Sequence, residues 1–453
     1  MPDPRPNILF VLTDQQRWDT TGVHGNPLEL TPNFDRMARQ GTHLFNMFSC
    51  QPVCAPARGC LQTGLHATQH GVWRNGIALG AQPTLAHYFN AAGYATGYIG
   101  KWHLGDPDVD GSVEEEHRGG YQYWLGANKL EFTSDAYQTT LFNNDNQPVK
   151  LPGYRVDALT DAAIRYIDDH QAEPFYLFLS YLEPHFQNRR DHYPAPTGYE
   201  ERYAGRWLPP DLAALGGTSH QHIGGYYGMV KRLDEALGRL FDSLLSLGIL
   251  ENTIVVFTTD HGNHFKTRNS EYKRSCHESS IRIPCAISGP GFEGGGQVQQ
   301  LTNLLDLPPT LLEAAAIPVP AAMQGHSILP LVNHQKVDWD QEVFIQISES
   351  QVGRAIRTRR WMYSVTAENL SGVAESGSDR YKEEYLYDLD SDPYELANLV
   401  GFPSHRELAN HLRDRLIQRM VQAGETAPVI EAAPVRKASP RLFLYPEEID
   451  AEL

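Results

Sequence analysis

Short apolar runs separated by polar, turn-rich stretches set the rhythm of the first two thirds of this chain. Asn7–Thr13 has the length and the apolar, β-prone content of a buried strand. Thr31 then caps a helix that has Pro32 at its first position and Gly41 just past its end. Leu85, Tyr88, Phe89 and Ala92 recur at i, i+3, i+4 and i+7 and stop at Gly93, which predicts a helix feeding a strand over 94–100. The alternation returns as a helix over 157–170, a strand over Phe175–Ser180, a helix over 226–247 and a strand over Thr253–Thr259. Within the 226–247 helix, Val230, Leu233, Leu237, Leu240, Phe241 and Leu244 share one face. Such βαβ units predict an α/β domain, a mostly parallel sheet sandwiched by helices.

Beyond about residue 335 the texture changes. Short strands at 343–347, 354–357 and 361–365 follow one another without long helices between them, and a single helix over 406–423 closes the run. The expected organisation is therefore a catalytic α/β domain over 1–334, a smaller antiparallel sheet-plus-helix subdomain over 335–424, and an extended tail over 425–453. That tail is rich in Pro, Ala and Glu, and its apolar cluster Leu442-Phe443-Leu444-Tyr445 is suited either to crossing onto a second copy, in a homo-oligomer, or to folding back on its own chain.

Composition narrows the function classes. With 453 residues, 41% hydrophobic, the chain can bury a large core. Lys+Arg of 38 against Asp+Glu of 55 gives 38 − 55 = −17, and no basic run offsets it, which argues against nucleic acid and anionic membrane as partners. The longest apolar runs fall well short of the roughly 20 residues that a spanning helix needs. Asp14 interrupts the first apolar run before it could serve as a signal peptide, so the expectation is a cytoplasmic protein. Five cysteines (Cys50, Cys54, Cys60, Cys276, Cys285), an odd number with no CxxC spacing, speak against a disulfide framework or a structural zinc site.

In open α/β sheets, ligands bind beyond the carboxyl ends of the strands. Four strands place chemistry there: Asp14-Gln15 after the first, Lys101-Trp102-His103 after the second, Glu183-Pro184-His185 after the third and Asp260-His261-Gly262 after the fourth. Asp14 and Asp260 with Gln15 and His261 suit a hard divalent cation, since each contributes an oxygen or nitrogen ligand from a separate loop. Lys101, His103 and His185 suit binding an anion or moving a proton to a leaving group. A further signal is Cys54-Ala-Pro56-Ala-Arg58, in which Pro56 marks a helix start and sets Cys54 at a helix N-terminus, where a thiol is acidified.

The stretch Cys54-x-Pro56-x-Arg58-Gly59-x-Leu61-x-Thr63-Gly64 resembles the signature of type I sulfatases of the alkaline-phosphatase-like superfamily, and Gly100-Lys101-Trp102-His103-Leu104-Gly105 resembles their second signature. Asn7 to Gln15, Thr258 to Gly262, Lys273 with Glu278 to Pro284, and Tyr385 to Leu389 with Asp392-Pro393 and Asn398-Leu399 are similar to further landmarks of that family, so the likeness spans about residues 5–400. The resemblance implies a sulfuric ester hydrolase. It implies that a separate maturation enzyme oxidises Cys54 to formylglycine, whose hydrated aldehyde is the nucleophile. It also implies that Asp14, Gln15, Asp260 and His261 hold one divalent cation together with residue 54, calcium first and manganese or magnesium as alternatives. By the same resemblance Arg58 orients the nucleophile, Lys101 and Lys273 neutralise sulfate oxygens, His103 takes a proton from the second hydroxyl, and His185 with Lys273 protonates the leaving oxygen.

Two departures matter. Many family members carry a second Asp where Gln15 stands and an Asn where His261 stands, so this site has one fewer negative ligand. Together with Asn75, an expected contact to the ester oxygen, the Thr13-Asp14-Gln15-Gln16-Arg17 form resembles the branch of choline sulfatases and phosphonate monoester hydrolases. The substrate implied is a sulfate monoester of a sugar, aryl or alkyl alcohol, and the rival substrate is a phosphonate monoester or phosphodiester. Arg189 and Arg190 are candidates for reading a second acidic group, and Trp207, ahead of Trp124, Tyr226 and Tyr227, is the candidate aromatic wall of a sugar or aryl subsite.

Overall fold

A computed structural model describes residues 5–436. Among them lie two sheets, of eleven and five strands. The larger contains β1 (Asn7–Thr13), β2 (Thr42–Phe48), β3 (Ala95–Lys101), β4 (Tyr123–Ala127), β5 (Thr139–Phe142), β6 (Pro148–Leu151), β7 (Phe175–Ser180), β8 (Thr253–Thr259), β9 (Arg282–Ile283), β10 (Cys285–Ser288) and β11 (Gly296–Asn303). Its spatial order is β11-β2-β10-β8-β1-β7-β3-β4-β5-β6, with β9 beside β2. The central strands β8, β1, β7, β3 and β4 all run parallel. Every residue of β1, β7 and β8 is buried, as expected of parallel strands covered on both faces.

Helices cover the sheet on both sides. One face buries Phe10, Leu12 and Tyr98 against the helices Cys54–Thr63, Leu85–Ala91 and Leu307–Ala314. The other buries Leu9, Val11 and Ile99 against Pro32–Gln40, Arg155–Asp169 and Ser219–Ser246. At Gly100, φ is +109° and an added Cβ would lie 1.9 Å from the Ser180 carbonyl oxygen, so only glycine lets β3 run against β7 just before Lys101.

The smaller sheet contains β12 (Glu342–Ile347), β13 (Gly353–Thr358), β14 (Trp361–Thr366), β15 (Arg380–Asp388) and β16 (Val429–Glu431). It is antiparallel except that β16 runs parallel to β15. Leu412, Leu416 and Met420 of the helix Arg406–Gln422 pack on one of its faces. On its other face Val343, Ile345, Met362 and Tyr387 share a core cluster with Phe48 of β2, Leu301 of β11, Cys276 and Ile281.

Several elements differ in detail from the sequence reading. Thr31 does precede the helix Pro32–Gln40, but its side chain accepts no capping bond and its hydroxyl donates instead to Asp35 Oδ1 at 3.3 Å. The long helix begins at Ser219, seven residues before 226. Glycines conceal that start: Gly224 and Gly225 are buried where a Cβ would meet the Glu200 and Tyr193 carbonyl oxygens at 2.8 and 2.2 Å. Residues 425–436 lie on their own chain, with Val429–Glu431 paired to β15, and the Leu442–Tyr445 cluster lies outside the described residues.

A buried ion pair ties the smaller sheet to the short helix Glu278–Ile281 that precedes β9. Arg357 on β13 donates to Glu278 Oε1 at 2.8 Å, and both side chains are 6% exposed. Arg357→Ala leaves a buried carboxylate with only the longer 3.5 Å contact to Arg282. The expected loss of stability in urea denaturation is about 3 kcal/mol. The double variant Arg357→Met/Glu278→Gln should recover much of that loss, and equal destabilisation of single and double variants would contradict the pairing.

Candidate active site

The carboxyl ends of β8, β1, β7 and β3 lie side by side, in the register Thr13↔Thr259, Leu12↔Ser180 and Gly100↔Ser180. Arg58 fastens all four. Its guanidinium donates to Asp14 Oδ2 at 3.0 Å, Asp260 Oδ2 at 3.2 Å, Ser180 Oγ at 2.7 Å and the Lys101 carbonyl oxygen at 2.8 Å. It reaches them from the helix Cys54–Thr63, in which all ten residues are buried. That helix starts from an extended Val53 and ends at Gly64 in the left-handed region, whose N–H bonds the Cys60 carbonyl.

Cys54 is the first residue of this helix, one turn before Arg58, and so the thiol shares Arg58's face. Its Sγ lies 2.8 Å from Lys273 Nζ, 3.3 Å from His261 Nε2, 3.5 Å from Asp14 Oδ1 and 3.8 Å from Lys101 Nζ. Burial pushes the thiol pKa up, but the charges of Lys101 and Lys273, with His261, outweigh it and hold Cys54 well below the ordinary value. The other four cysteines are free and buried, and burial pushes Cys60 up instead.

Asp14, Cys54, Asp260 and His261 each present a ligand atom within 4.8 Å of the others, and all four are buried. Burial raises Asp14, yet Lys101, His185 and Lys273 hold it well below the carboxylate range. Burial and then the Asp14 charge push Asp260 up, outweighing the pull of His261 and Arg58. His261 Nδ1 lies 2.9 Å from the Gly262 carbonyl oxygen and must donate there, which leaves the Nε2 lone pair facing the cluster. Two carboxylates, a thiol and an imidazole lone pair are a donor set that fits a divalent cation. Gln15, in the left-handed region at φ +68°, turns its Oε1 to Lys273 Nζ at 3.4 Å and its backbone N–H to Asp260 Oδ1 at 3.1 Å.

The remaining candidates line a cleft of about 320 Å³ that opens over Cys54, with Asn75, His103, His185 and Lys273 in its wall. His185 Nδ1 donates to the Phe186 carbonyl at 2.7 Å, so its Nε2 is the acceptor for Lys273 Nζ at 3.2 Å. Burial, followed by the Lys273 charge, lowers the His185 pKa and keeps the ring neutral. His103, also in the left-handed region at φ +63°, carries an Nδ1 with no hydrogen-bond partner. Asn75 spends its side-chain oxygen on the Ala55 N–H at 3.0 Å, capping the helix that carries Cys54. Glu183 turns away from the cleft: Arg155 bonds its carboxylate at 2.9 Å, and its carbonyl accepts the Asp14 N–H at 3.1 Å.

The aromatic candidates do not line this cleft. Trp124, Tyr226 and Tyr227 are core residues, and Trp207 is half-buried elsewhere. Tyr226 instead supports the site from behind, donating its hydroxyl to the Gln15 carbonyl at 2.8 Å.

Glu131 was not among the residues expected from sequence. It lies 3.1 Å from Lys101 Nζ, and the same ammonium donates to Asp14 Oδ2 at 2.8 Å. Burial would raise this carboxyl, but Lys101, then His103 and His185, lower it from 4.5 to about 2. The signal was the apolar run Tyr123–Ala127, a fifth parallel strand whose carboxyl end delivers Glu131.

Because the folded-state pKa of Glu131 is depressed, its contribution to stability is fully present above pH 4.5 and is lost as pH falls toward 2. Glu131→Gln should therefore destabilise the fold by on the order of 3 kcal/mol at pH 7, a gap that narrows as urea denaturation is repeated from pH 5 down to 3. A gap that stays constant across that range would contradict the assignment.

A family model described as "Sulfatase" matches residues 6–317, and one described as "N-sulphoglucosamine sulphohydrolase, C-terminal" matches residues 270–422. The chain is 31% identical to an ulvan-active sulfatase of Formosa agariphila, over 93% of this chain and 82% of that protein. It is 23% identical to an N-acetylglucosamine-6-O-sulfatase of Bacteroides thetaiotaomicron, over 97% and 90% of the two chains. Among solved structures, the putative sulfatase YidJ of Bacteroides fragilis superposes with a TM-score of 0.82 at 25% identity, over 94% of this chain and 97% of that one. The chain belongs to the sulfatase family and is a sulfuric ester hydrolase.

Proposed function

We propose that the protein hydrolyses a sulfate monoester of a carbohydrate to the free alcohol and inorganic sulfate, with formylglycine made from Cys54 by a maturation enzyme as nucleophile. The observation that carries this reading is the placement of Cys54, at the first turn of a buried helix and within 3.8 Å of Lys101, Lys273, His261 and Asp14. The carbohydrate class is supported by the relatives named for ulvan and for N-acetylglucosamine 6-O-sulfate.

Asp14, Asp260 and His261, with Gln15 and residue 54, would hold one divalent cation, calcium first. When present, the cation and the formylglycine would supply a charge-stabilised hydroxyl as nucleophile toward sulfur and a second hydroxyl for the release of sulfate. Charge balance supports such an occupant. Arg58, Lys101 and Lys273 are opposed by Asp14, Asp260 and Glu131, so the side chains alone are close to neutral. Two further positive charges would then match a monoanionic sulfate ester and an anionic oxygen at residue 54.

The chain's own groups divide the remaining work. Arg58, held by four strand ends, fixes the orientation of residue 54 through Asp14 and Asp260. Lys101 and Lys273 are placed to neutralise sulfate oxygens as charge builds in the transition state. Lys273 carries the proton for the leaving oxygen, because His185 is neutral and accepts from it; His185 thereby aims Lys273 Nζ. His103, with an unpartnered ring nitrogen on the cleft, takes the proton released when sulfate departs. Asn75 caps the N-terminus of the helix that carries residue 54, and its place in the cleft wall supports a contact from it to the ester oxygen.

Protein expressed with a formylglycine-generating enzyme should release sulfate from an aryl sulfate with a kcat/KM well above that for phosphonate from the matched aryl phosphonate monoester. Cys54→Ala should abolish both activities, and Lys101→Ala should lower kcat/KM by about 10²–10³. A higher kcat/KM for the phosphonate would overturn the sulfatase reading in favour of the phosphonate monoester hydrolase, and full activity in Cys54→Ala would overturn the nucleophile.

A further inference from the structure

Beside the catalytic cleft lies a larger cavity, of about 680 Å³, lined by Glu131, Phe132, Tyr137, Lys150, Arg189 and Arg190 among others. Glu131 and Phe132 also line the cleft over Cys54, so the two hollows share a wall. Both are within the size range of small-molecule sites.

The charge on this wall runs against that of the protein as a whole. In a chain of net charge −17, Lys150, Arg189 and Arg190 converge on one cavity. Of the carboxylates there, Glu131 is committed to Lys101, and Asp135 meets Arg190 only in an exposed pair at 3.3 Å. Arg189 is exposed and makes no hydrogen bond or ion pair among the described residues. Such an exposed pair and an unpaired guanidinium contribute little to folding, which leaves them available to a ligand.

The backbone that carries the arginines is held in place. Gln187, buried, donates its Nε2 to the Glu131 and Ser134 carbonyls at 2.6 and 3.0 Å, and its N–H to the His192 carbonyl at 2.7 Å. The Arg190 N–H returns to the Gln187 carbonyl at 3.0 Å, closing a turn that presents Arg189 and Arg190 four and five residues after His185. Tyr137 stands on the same cavity with 49% of its surface exposed, its ring packed edge-on against Tyr154. A fixed, exposed aromatic face next to cationic forks suits a sugar ring bearing an acidic group.

We infer that this cavity is a second subsite that takes an anionic group, carboxylate or sulfate, on the sugar next to the one carrying the scissile ester. The inference rests on the sulfatase reading above and adds to it that the substrate is an acidic oligosaccharide.

The test uses two matched pairs of disaccharides, each with one sulfate ester to be cleaved. In one pair the neighbouring sugar carries a carboxylate or its reduced alcohol; in the other it carries a second sulfate or a free hydroxyl. Matured wild-type protein should prefer the charged member of at least one pair by about tenfold in kcat/KM, and Arg189→Ala/Arg190→Ala should erase most of that preference. Preference within the first pair alone assigns the subsite to a carboxylate, and within the second alone to a sulfate. No preference in either pair, or a preference kept by the double variant, overturns the subsite. Calorimetric binding of the same four compounds to Cys54→Ala protein, with and without the arginines, reads the subsite without turnover. A preference for the charged members that vanishes with the arginines supports it, and its absence overturns it. Failure to release sulfate from any compound, 4-nitrophenyl sulfate included, counts against the function proposed above and leaves the binding result to decide the subsite.

Discussion

The guanidinium of Arg58 is the interaction on which the site depends. Burying an arginine among strand termini is unfavourable unless every donor finds a partner. Here the partners are Asp14 from β1, Asp260 from β8, Ser180 from β7 and the carbonyl of Lys101 at the end of β3. One planar group therefore fixes the spacing of four parallel strands at their carboxyl ends, and it does so from the same helix face that carries Cys54.

Other features follow from that arrangement. Gly100 allows β3 to close on β7, without which the Lys101 carbonyl could not reach Arg58. Gln15 and His103 both leave their strands through left-handed backbone, a sparsely populated conformation that persists when its surroundings enforce it. Their backbone N–H groups do so here, bonding Asp260 Oδ1 and the Asn128 carbonyl. The smaller sheet reaches the cleft as well, because Glu349, just beyond β12, accepts the Asn75 N–H at 2.7 Å and pairs with Arg274.

Much of this was legible in the sequence, for physical reasons. The strands Asn7–Thr13, Phe175–Ser180 and Thr253–Thr259 were read to the residue, because full burial leaves an uninterrupted apolar signal. Of the residues at the strand ends and in the Cys54 motif, Asp14, Asp260, His261, Lys101, His103, His185, Cys54 and Arg58 gather around one cleft, whereas Glu183 turns away from it. What escaped were contacts made across long sequence separations by residues with ordinary local patterns. Glu131 sits after a strand hidden among aromatic and glycine residues, and Glu349 looks like a surface turn. Trp207 was misjudged because an aromatic in a Pro-rich loop carries no sign of which cavity it faces. The capping of the Cys54 helix by Asn75 escaped too, because its partner, the Ala55 N–H, lies 20 residues back along the chain.

Asp14 and Asp260, both gathered by Arg58, would hold one divalent cation together with His261 and residue 54. Elemental analysis of purified wild-type protein and of Asp14→Asn decides whether they do. The expected result is close to one divalent cation per chain in the wild type, most of it lost in Asp14→Asn while the protein remains folded. Equal metal content in the two proteins, or none in the wild type after exposure to calcium and manganese, would contradict it.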